Sequence, residues 1–388
     1  MQYNLSEIIP AIRMLASKNE IQTVSFIDSD TLIDSFNKLV QEGYNVDKNE
    51  VLEINQFNSV ETLKDTFNSW YKEDNQSPSF VVIKEIGAVV LANNPANANG
   101  LLENKPQQFQ YPVYGRMSGK ICVITGGAQG FGAGIAEMLF EQGANIVIAD
   151  INKEAANQLI AGFNAKGTAN KAAFVKTNVA DPESVKALID STVKIFGGID
   201  VMISNAGVLR AGGLDEMDAD TFRFMTDINY SGYFNCAKYA SAVMKVQTAI
   251  VKDYFCDIIQ INSKSGLQGS KKNFAYAGGK FGGIGLTQSF ALELMPDNVK
   301  VNSICPGNFF EGPLWSDPEK GLFVQYLNAG KVPGAKSVED VKHFYEKQVP
   351  AGRGCRVIDV ARAIMYVVEQ EYETGQAIPV TGGQTMLH

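Results

Sequence analysis

Ile121-Cys122-Val123-Ile124-Thr125-Gly126-Gly127-Ala128-Gln129-Gly130-Phe131-Gly132 is a short apolar run that breaks into a glycine turn and resumes with helical periodicity. A short apolar run bounded by turn residues reads as a buried strand, and the periodic stretch beyond the turn as a helix. Gly126, Gly130 and Gly132 are spaced Gly-x-x-x-Gly-x-Gly, with Gln129 and Phe131 between them. At such a turn a side chain would block the backbone from approaching a pyrophosphate, and the helix starting near Phe131 aims its unpaired N–H groups at the phosphates. The chain has 36 glycines, so the spacing alone is weak. The strand before it and the helix after it give it meaning.

Downstream the pattern keeps alternating. Strand-like runs fall at 121–125, 145–150, 172–177, 200–204, 256–263, 299–305 and 377–380, and helical stretches at 131–142, 154–165, 182–196, 221–245, 274–294 and 357–369. Apolar strands separated by helices long enough to cross over imply an α/β fold, a doubly wound parallel seven-stranded Rossmann sheet with right-handed connections. Residues 308–350, with Pro313, Pro318, Pro333 and a helical segment at 337–347, interrupt the alternation just after the sixth strand. A substrate lid is expected there.

Upstream, residues 1–115 read as a small acidic α/β domain with strands at 21–27 and 80–91 and helices at 31–42 and 60–70. An Asn/Pro/Gln-rich linker at 93–114 and a boundary near 111–118 separate it from the domain at 116–388. The formal charge is −8 and nearly all of the acidic surplus lies in residues 1–115. Without a basic stripe, nucleic acid is not an expected partner. The first thirty residues carry Glu7, Glu20, Asp28 and Asp30 and no long apolar run, so neither a signal peptide nor a membrane span is expected. Five scattered cysteines without a Cys-x-x-Cys pair fit a reduced, cytoplasmic protein.

Asp150 ends the second strand of the large domain, eighteen residues past Gly132, where a carboxylate accepts hydrogen bonds from adenosine ribose hydroxyls. It would repel a 2′-phosphate, so NAD is expected rather than NADP. Asn178-Val179 after the third strand would border adenine, and Asn205-Ala206-Gly207 after the fourth would let the backbone pass close to the dinucleotide.

Ser263 ends the fifth strand, and Tyr276 and Lys280 open the helix beyond it. Tyr-x-x-x-Lys is expected about once by chance in a chain of this composition. Two occur, and Tyr44/Lys48, with no glycine turn before it, is taken as the accidental one. At i and i+4 on a helix, Tyr276 and Lys280 share a face. An ammonium about 4 Å from a phenol, at an effective dielectric near 20, contributes roughly 4 kcal/mol, about three pKa units, which would bring the phenol near neutrality. Ser263 would hold the substrate oxygen within reach of Tyr276. Singly, these are a surface tyrosine, a solvated lysine and a turn serine. Together they move a proton to or from an alcohol oxygen while a nicotinamide exchanges hydride.

With these elements in order, and Pro306-Gly307 after the sixth strand, residues 116–388 resemble the short-chain dehydrogenase/reductase family. The resemblance implies a fourth catalytic residue, Asn229, holding a water in a proton relay to Lys280. It also implies a homotetramer in which helices 221–245 and 274–294 pair with a neighbour. Residues 259–266, Lys280-Phe281-Gly282-Gly283, Arg353-Gly354-Cys355 and Thr381-Gly382-Gly383-Gln384 are similar to the sorbitol-6-phosphate 2-dehydrogenase branch of that family. That implies NAD-linked interconversion of a sugar alcohol phosphate and its keto sugar phosphate.

Two departures stand out: Asn178 replaces the family's usual Asp, and the threonine often found beyond Pro-Gly is missing from Asn308-Phe309-Phe310-Glu311-Gly312. Backbone atoms near Ile304 and Asn308 are then expected to seat the carboxamide. A phosphorylated substrate needs cations at the sheet's carboxyl edge, where Arg210, Lys264, Lys271, Lys272 and Arg353 all fall in loops. A non-phosphorylated polyol or other secondary alcohol is the rival substrate class, and an NAD(H)-sensing regulator without catalysis is the rival of another kind. Residues 1–115 bear a faint resemblance to the tail of a class II aldolase domain. Such aldolases bind zinc through several histidines, whereas the two here, His343 and His388, lie outside that region. No metal site is expected, and an assembly or structural role is.

Overall fold

The computed structural model describes residues 4–17, 22–72, 76–103, 115–319, 321–328, 330 and 332–386. In the N-terminal region the order is α1 (Leu5–Ala16), β1 (Thr23–Phe26), α2 (Phe36–Gln41), β2 (Val51–Ile54), α3 (Val60–Lys72), β3 (Phe80–Ile83), β4 (Gly87–Ala92) and α4 (Pro95–Leu102). The larger part runs β5 (Ile121–Thr125), α5 (Gly130–Glu141), β6 (Asn145–Asp150), α6 (Lys153–Asn164), β7 (Ala172–Lys176), α7 (Pro182–Phe196), β8 (Val201–Ser204), α8 (Ala219–Thr226) and α9 (Gly232–Ile250). It ends with β9 (Cys256–Ile261), α10 (Phe274–Leu294), β10 (Val299–Pro306), α11 (Pro313–Ser316), α12 (Leu322–Asn328), α13 (Val338–Lys347), α14 (Val357–Glu369) and β11 (Ala377–Val380).

All seven strands expected in the larger part form one parallel sheet, ordered β11-β10-β9-β8-β5-β6-β7. β5, β6, β8, β9 and β10 are buried along their whole length, as parallel strands covered on both faces must be. The chain winds from β5 through β6 to β7, then returns to β8 on the other side of β5. The crevice at the carboxyl ends of β5 and β8 is therefore the switch point where such sheets bind ligands.

Several expectations are corrected. The single strand at 80–91 is a hairpin, β3 and β4, turned at Glu85 (φ 64°) and Gly87 (φ 132°). The helix at 31–42 shortens to α2, because Ser35 caps it by accepting a hydrogen bond from Lys38 N–H. Within the linker, residues 95–102 form α4, started by the Asn94 cap and Pro95; residues 104–114 lie outside the described residues. The helix at 221–245 is α8 and α9 joined by a π-helical turn at Asp227–Ser231. α1 and β2 were not anticipated. The N-terminal strands form a sheet ordered β1-β4-β3-β2, antiparallel except for β2 with β3.

α1 is built into the larger part. Its Ile8, Ile9 and Ile12 belong to the same buried cluster as Leu188 and Ile189 of α7 and Val243 of α9. Arg13 follows them inward and is fully buried; its Nη1 and Nη2 each donate to Asp200 at 2.9 Å. Asp200 also accepts from Ile121 N–H at 2.9 Å and Gln247 Nε2 at 3.1 Å. Burial alone would raise this carboxyl's pKa, but the Arg13 charge and these donors outweigh it and hold it down to about 2.

Removing one partner of such a pair strands a buried charge at a cost of about 3–5 kcal/mol. Arg13→Met is expected to lose roughly that much in urea unfolding, and Arg13→Met/Asp200→Asn to lose less than Arg13→Met alone. Because the wild-type carboxyl titrates below its unfolded value of about 4, its contribution is present above that pH and fades as pH falls toward 2. In Arg13→Met the carboxyl is buried without its cation and its pKa rises, so the deficit is largest at neutral pH and narrows in acid. A deficit independent of pH would contradict this account.

Candidate active site

A cavity of about 730 Å³ opens at the switch point. Gly126, Gln129, Gly130 and Phe131 line it from the turn after β5, Asp150 from the end of β6, Asn178 and Val179 from beyond β7, and Asn205, Ala206 and Gly207 from beyond β8. Ser263, Lys264, Lys271, Tyr276 and Lys280 line the neighbouring wall, with Pro306 and Gly307 at the end of β10. The structure thus brings almost every residue singled out in the sequence to one cavity.

The turn's geometry explains its glycines. Gly126 has φ +60°, and a Cβ there would stand 2.9 Å from Ala206 Cα. Gly132 does not line the cavity; a Cβ on it would come within 2.1 Å of Gly126 O, so its role is to let the turn close. Thr125 Oγ1 accepts from Asn205 N–H at 3.0 Å and Ala206 N–H at 3.1 Å, while Asn205 Nδ2 donates to Thr125 O at 2.9 Å and Gly126 O at 3.1 Å. Two loops of the cavity are locked together by these four bonds. Asp150 accepts from Ala128 N–H at 3.0 Å and Asn152 N–H at 2.9 Å, which fixes the carboxylate at the far end. This cradle, with a carboxylate beyond it, fits a dinucleotide: the turn and the α5 N-terminus would hold the pyrophosphate, and Asp150 the adenosine ribose.

At the other end, Ser263 and Tyr276 line the same wall, the serine near enough to lower the phenol's pKa. Lys280 is buried, donates from Nζ to Ile261 O at 2.8 Å, and stands 5.6 Å from the centre of the Tyr276 ring. The expected poising of the phenol by Lys280 is corrected here. Burial is the largest influence on Tyr276 and raises its pKa, and only Ser263 pulls it down. Lys280 is itself pushed down by burial to about 8, so its charge is leaving before the phenol ionises. Asn229 lies behind the wall: its Oδ1 accepts from Val208 N–H at 2.9 Å and its Nδ2 donates to Val208 O at 2.8 Å. These two bonds tie the π-helical turn that carries Asn229 to the loop after β8.

Other expectations fail at single residues. Arg210 is not on the wall; its guanidinium stacks 4.8 Å over Phe224. Lys272 pairs with Glu216 at 2.6 Å, and Arg353 is held by two bonds to Asp359 at 2.6 and 3.0 Å. Near the expected carboxamide seat, the carbonyls of Ile304 and Asn308 each accept one bond within the protein, from Asn262 N–H at 2.7 Å and Cys355 N–H at 2.8 Å, without deciding that expectation. The reading of Tyr44/Lys48 as the accidental match agrees with the structure: the two share no helix, and Tyr44 packs edge-on against Phe80.

The sequence did not mark several wall residues. Trp315, Tyr326 and Tyr345 supply an aromatic wall from the 308–350 segment, whose small core also includes Phe310 and Phe323. The only available signal was aromatic density in that segment.

The short chain dehydrogenase family pattern matches residues 120–315. The chain is 34% identical over 271 residues to sorbitol-6-phosphate 2-dehydrogenase of Escherichia coli (strain K12), a match covering 69% of this chain and 99% of that protein. It is 31% identical over 279 residues to trans-4-hydroxycyclohexanecarboxylate dehydrogenase of Sinomonas cyclohexanicum, covering 70% of this chain and 95% of that one. The crystal structure of sorbitol-6-phosphate 2-dehydrogenase from Erwinia amylovora superposes with a TM-score of 0.62 at 35% identity, over 69% of this chain and 100% of that one.

The Tyr276 hydroxyl is the group expected to exchange a proton with the substrate oxygen. Tyr276→Phe is expected to lower kcat by about 10²–10⁴ while NADH binding, followed by fluorescence, changes little. A kcat within a few-fold of wild type would place the proton transfer elsewhere.

Proposed function

The chain belongs to the short-chain dehydrogenase family and is an oxidoreductase, and from that premise we propose that it interconverts a secondary alcohol of a sugar alcohol phosphate and the keto sugar phosphate, with NAD as coenzyme. A bound nicotinamide supplies the hydride chemistry. Ser263 holds the reacting oxygen, and Tyr276 takes its proton in oxidation and returns it in reduction. Lys280, when protonated, favours the phenolate, and its bond to Ile261 O keeps it in register with β9. Asp150 selects against a 2′-phosphate.

One observation carries the substrate reading. Of five cations at this edge, three are committed elsewhere or off the wall, whereas Lys264 lines the cavity next to Ser263, half-buried, with no partner among the described residues. Burial lowers its pKa, which is the cost of a buried ammonium awaiting an anion. Lys271 lines the same wall. The names of the relatives from E. coli and Erwinia amylovora support a phosphate as that anion. The aromatic wall of Trp315, Tyr326 and Tyr345 favours a second reading, a less polar secondary alcohol bearing another anionic group, as the name of the Sinomonas relative suggests.

For residues 1–115 we propose a structural role in a unit that ends near 115, since α1 is packed into the core. Cytoplasmic location is proposed on four buried free thiols and one half-buried. A homotetramer assembling through α9 and α10 is proposed on Phe234 and Phe281, 44% and 47% exposed on those helices. Sedimentation analysis of Phe281→Glu is expected to show a smaller species, and an unchanged one would exclude that face.

Loss of a charged hydrogen bond costs about 1.5–3 kcal/mol. Lys264→Ala is therefore expected to reduce the kcat/KM preference for a hexitol 6-phosphate over the free hexitol by roughly 10- to 100-fold. An unchanged preference would remove the phosphate reading. In the same assay NADP is expected to serve far less well than NAD until Asp150 is replaced by Ala.

A further inference from the structure

Phe131 belongs to the glycine turn, and Phe309 follows Pro306-Gly307-Asn308 at the end of β10. They are far apart in sequence, yet their rings stack with centroids 4.2 Å apart and planes 19° from parallel, and both line the cavity. Phe309 is braced from behind: a Cβ on Gly312 would fall 2.4 Å from Phe309 Cδ1, and Gly312 N–H donates to Phe309 O at 3.0 Å. Phe310, the next residue, goes the other way and packs against Trp315 and Phe323. Asn308 O is pinned by Cys355 N–H. Residues 308–312 thus form a short strap, with one ring on the coenzyme turn and the next in the core of the substrate-side segment.

The strap's position along the cavity is set by its neighbours. Pro306, at the end of β10 and three residues before Phe309, lines the cavity together with Tyr276 and Lys280, so β10 ends where the reacting half of a dinucleotide must lie. Asp150 marks the opposite, adenosine end. The carbonyls of Ile304 and Asn308 are bonded within the protein, and no threonine follows Pro306-Gly307 to seat the carboxamide.

Resting on the reading of this cavity as a dinucleotide site, we propose that Phe131 and Phe309 act as positioning residues, an aromatic clasp that closes the cavity over the nicotinamide half of the coenzyme and must part for the coenzyme to leave. Stacked pairs of this kind contribute an amount equivalent to roughly two- to tenfold in an equilibrium or rate. The clasp acts on one half of the ligand only, which separates it from a general tightening of the turn.

The test is stopped-flow release of NADH and equilibrium binding of NADH and ADP-ribose by Phe131→Leu, Phe309→Leu, the double variant and Gly312→Ala. Each single variant is expected to speed NADH release roughly two- to tenfold and leave ADP-ribose affinity unchanged, and Gly312→Ala to do the same by displacing Phe309. The double variant is expected to match a single one, because one shared contact is lost. NADH release unaltered, effects that multiply, or equal weakening of ADP-ribose would overturn the clasp. Wild-type protein that binds neither ligand would instead overturn the dinucleotide reading beneath it. Thermal unfolding of each variant identifies any that fails to fold, for which the Met substitution replaces Leu.

Discussion

The carboxylate of Asp200 is the joint on which the architecture depends. It sits at the amino edge of the sheet, just before β8, and gathers the first N–H of β5, an amide from α9 and the guanidinium of α1. Four elements from distant parts of the chain therefore share one buried charge, and its low pKa reports how completely it is satisfied. Asp257, next in the sheet, shows the contrast. Burial raises it to about 6, and the cation paired with it, Lys300, only partly opposes that. Lys300 spends its other bonds on carbonyls at the end of α14, Gln370 O among them at 2.7 Å. One carboxylate is surrounded by donors, the other shares a cation with a helix terminus, and the pKa values diverge accordingly.

This arrangement separates stability from chemistry. The charged joints lie at the amino ends of the strands, where parallel α/β sheets carry structural rather than catalytic groups. α1 and its sheet attach there, leaving the carboxyl edge open to ligands. At that edge burial acts in the opposite sense, disfavouring both the Tyr276 phenolate and the Lys280 ammonium. By burial alone the protein keeps the phenol protonated. A positive charge brought beside the phenol would shift the balance toward the phenolate.

Much of this was legible from residues alone because the information was local. The strand–turn–helix at 121–132 and the seven-fold alternation need only periodicity and glycine spacing, and Ser263, Tyr276 and Lys280 need only their places on β9 and α10. Even the longer stretches around Ser263 and Lys280 turn out to be one packed unit: Asn262 Nδ2 bonds Lys280 O at 2.9 Å, and a Cβ on Gly283 would fall 2.3 Å from Gln260 Nε2. What stayed hidden was decided by distant partners. Arg13 looked like one charge on an acidic, solvated surface until Asp200 was found opposite it. The 80–91 run has no polar break long enough to announce a hairpin, and its turn rests on a positive φ at Glu85. Arg210, Lys272 and Arg353 were indistinguishable from Lys264 until their partners were seen.

That last distinction bears most on specificity. A cation in a loop beside a cavity carries no weight by itself, since an exposed lysine or arginine readily finds a carboxylate or an aromatic face, as Lys272, Arg353 and Arg210 each do. Lys264 differs because its backbone is fixed by its place next to Ser263, in the short 3-10 turn directly after β9. It lines the same cavity as Trp315, Tyr326 and Tyr345, and its ammonium has no partner among the described residues. An ammonium so placed raises the free energy of the empty cavity and lowers it again for a ligand carrying negative charge a fixed distance from its carbinol. On the proposed reading, selectivity for an anionic substrate would be set by where β9 ends, and the aromatic segment opposite would set how long and how polar the rest of that substrate can be.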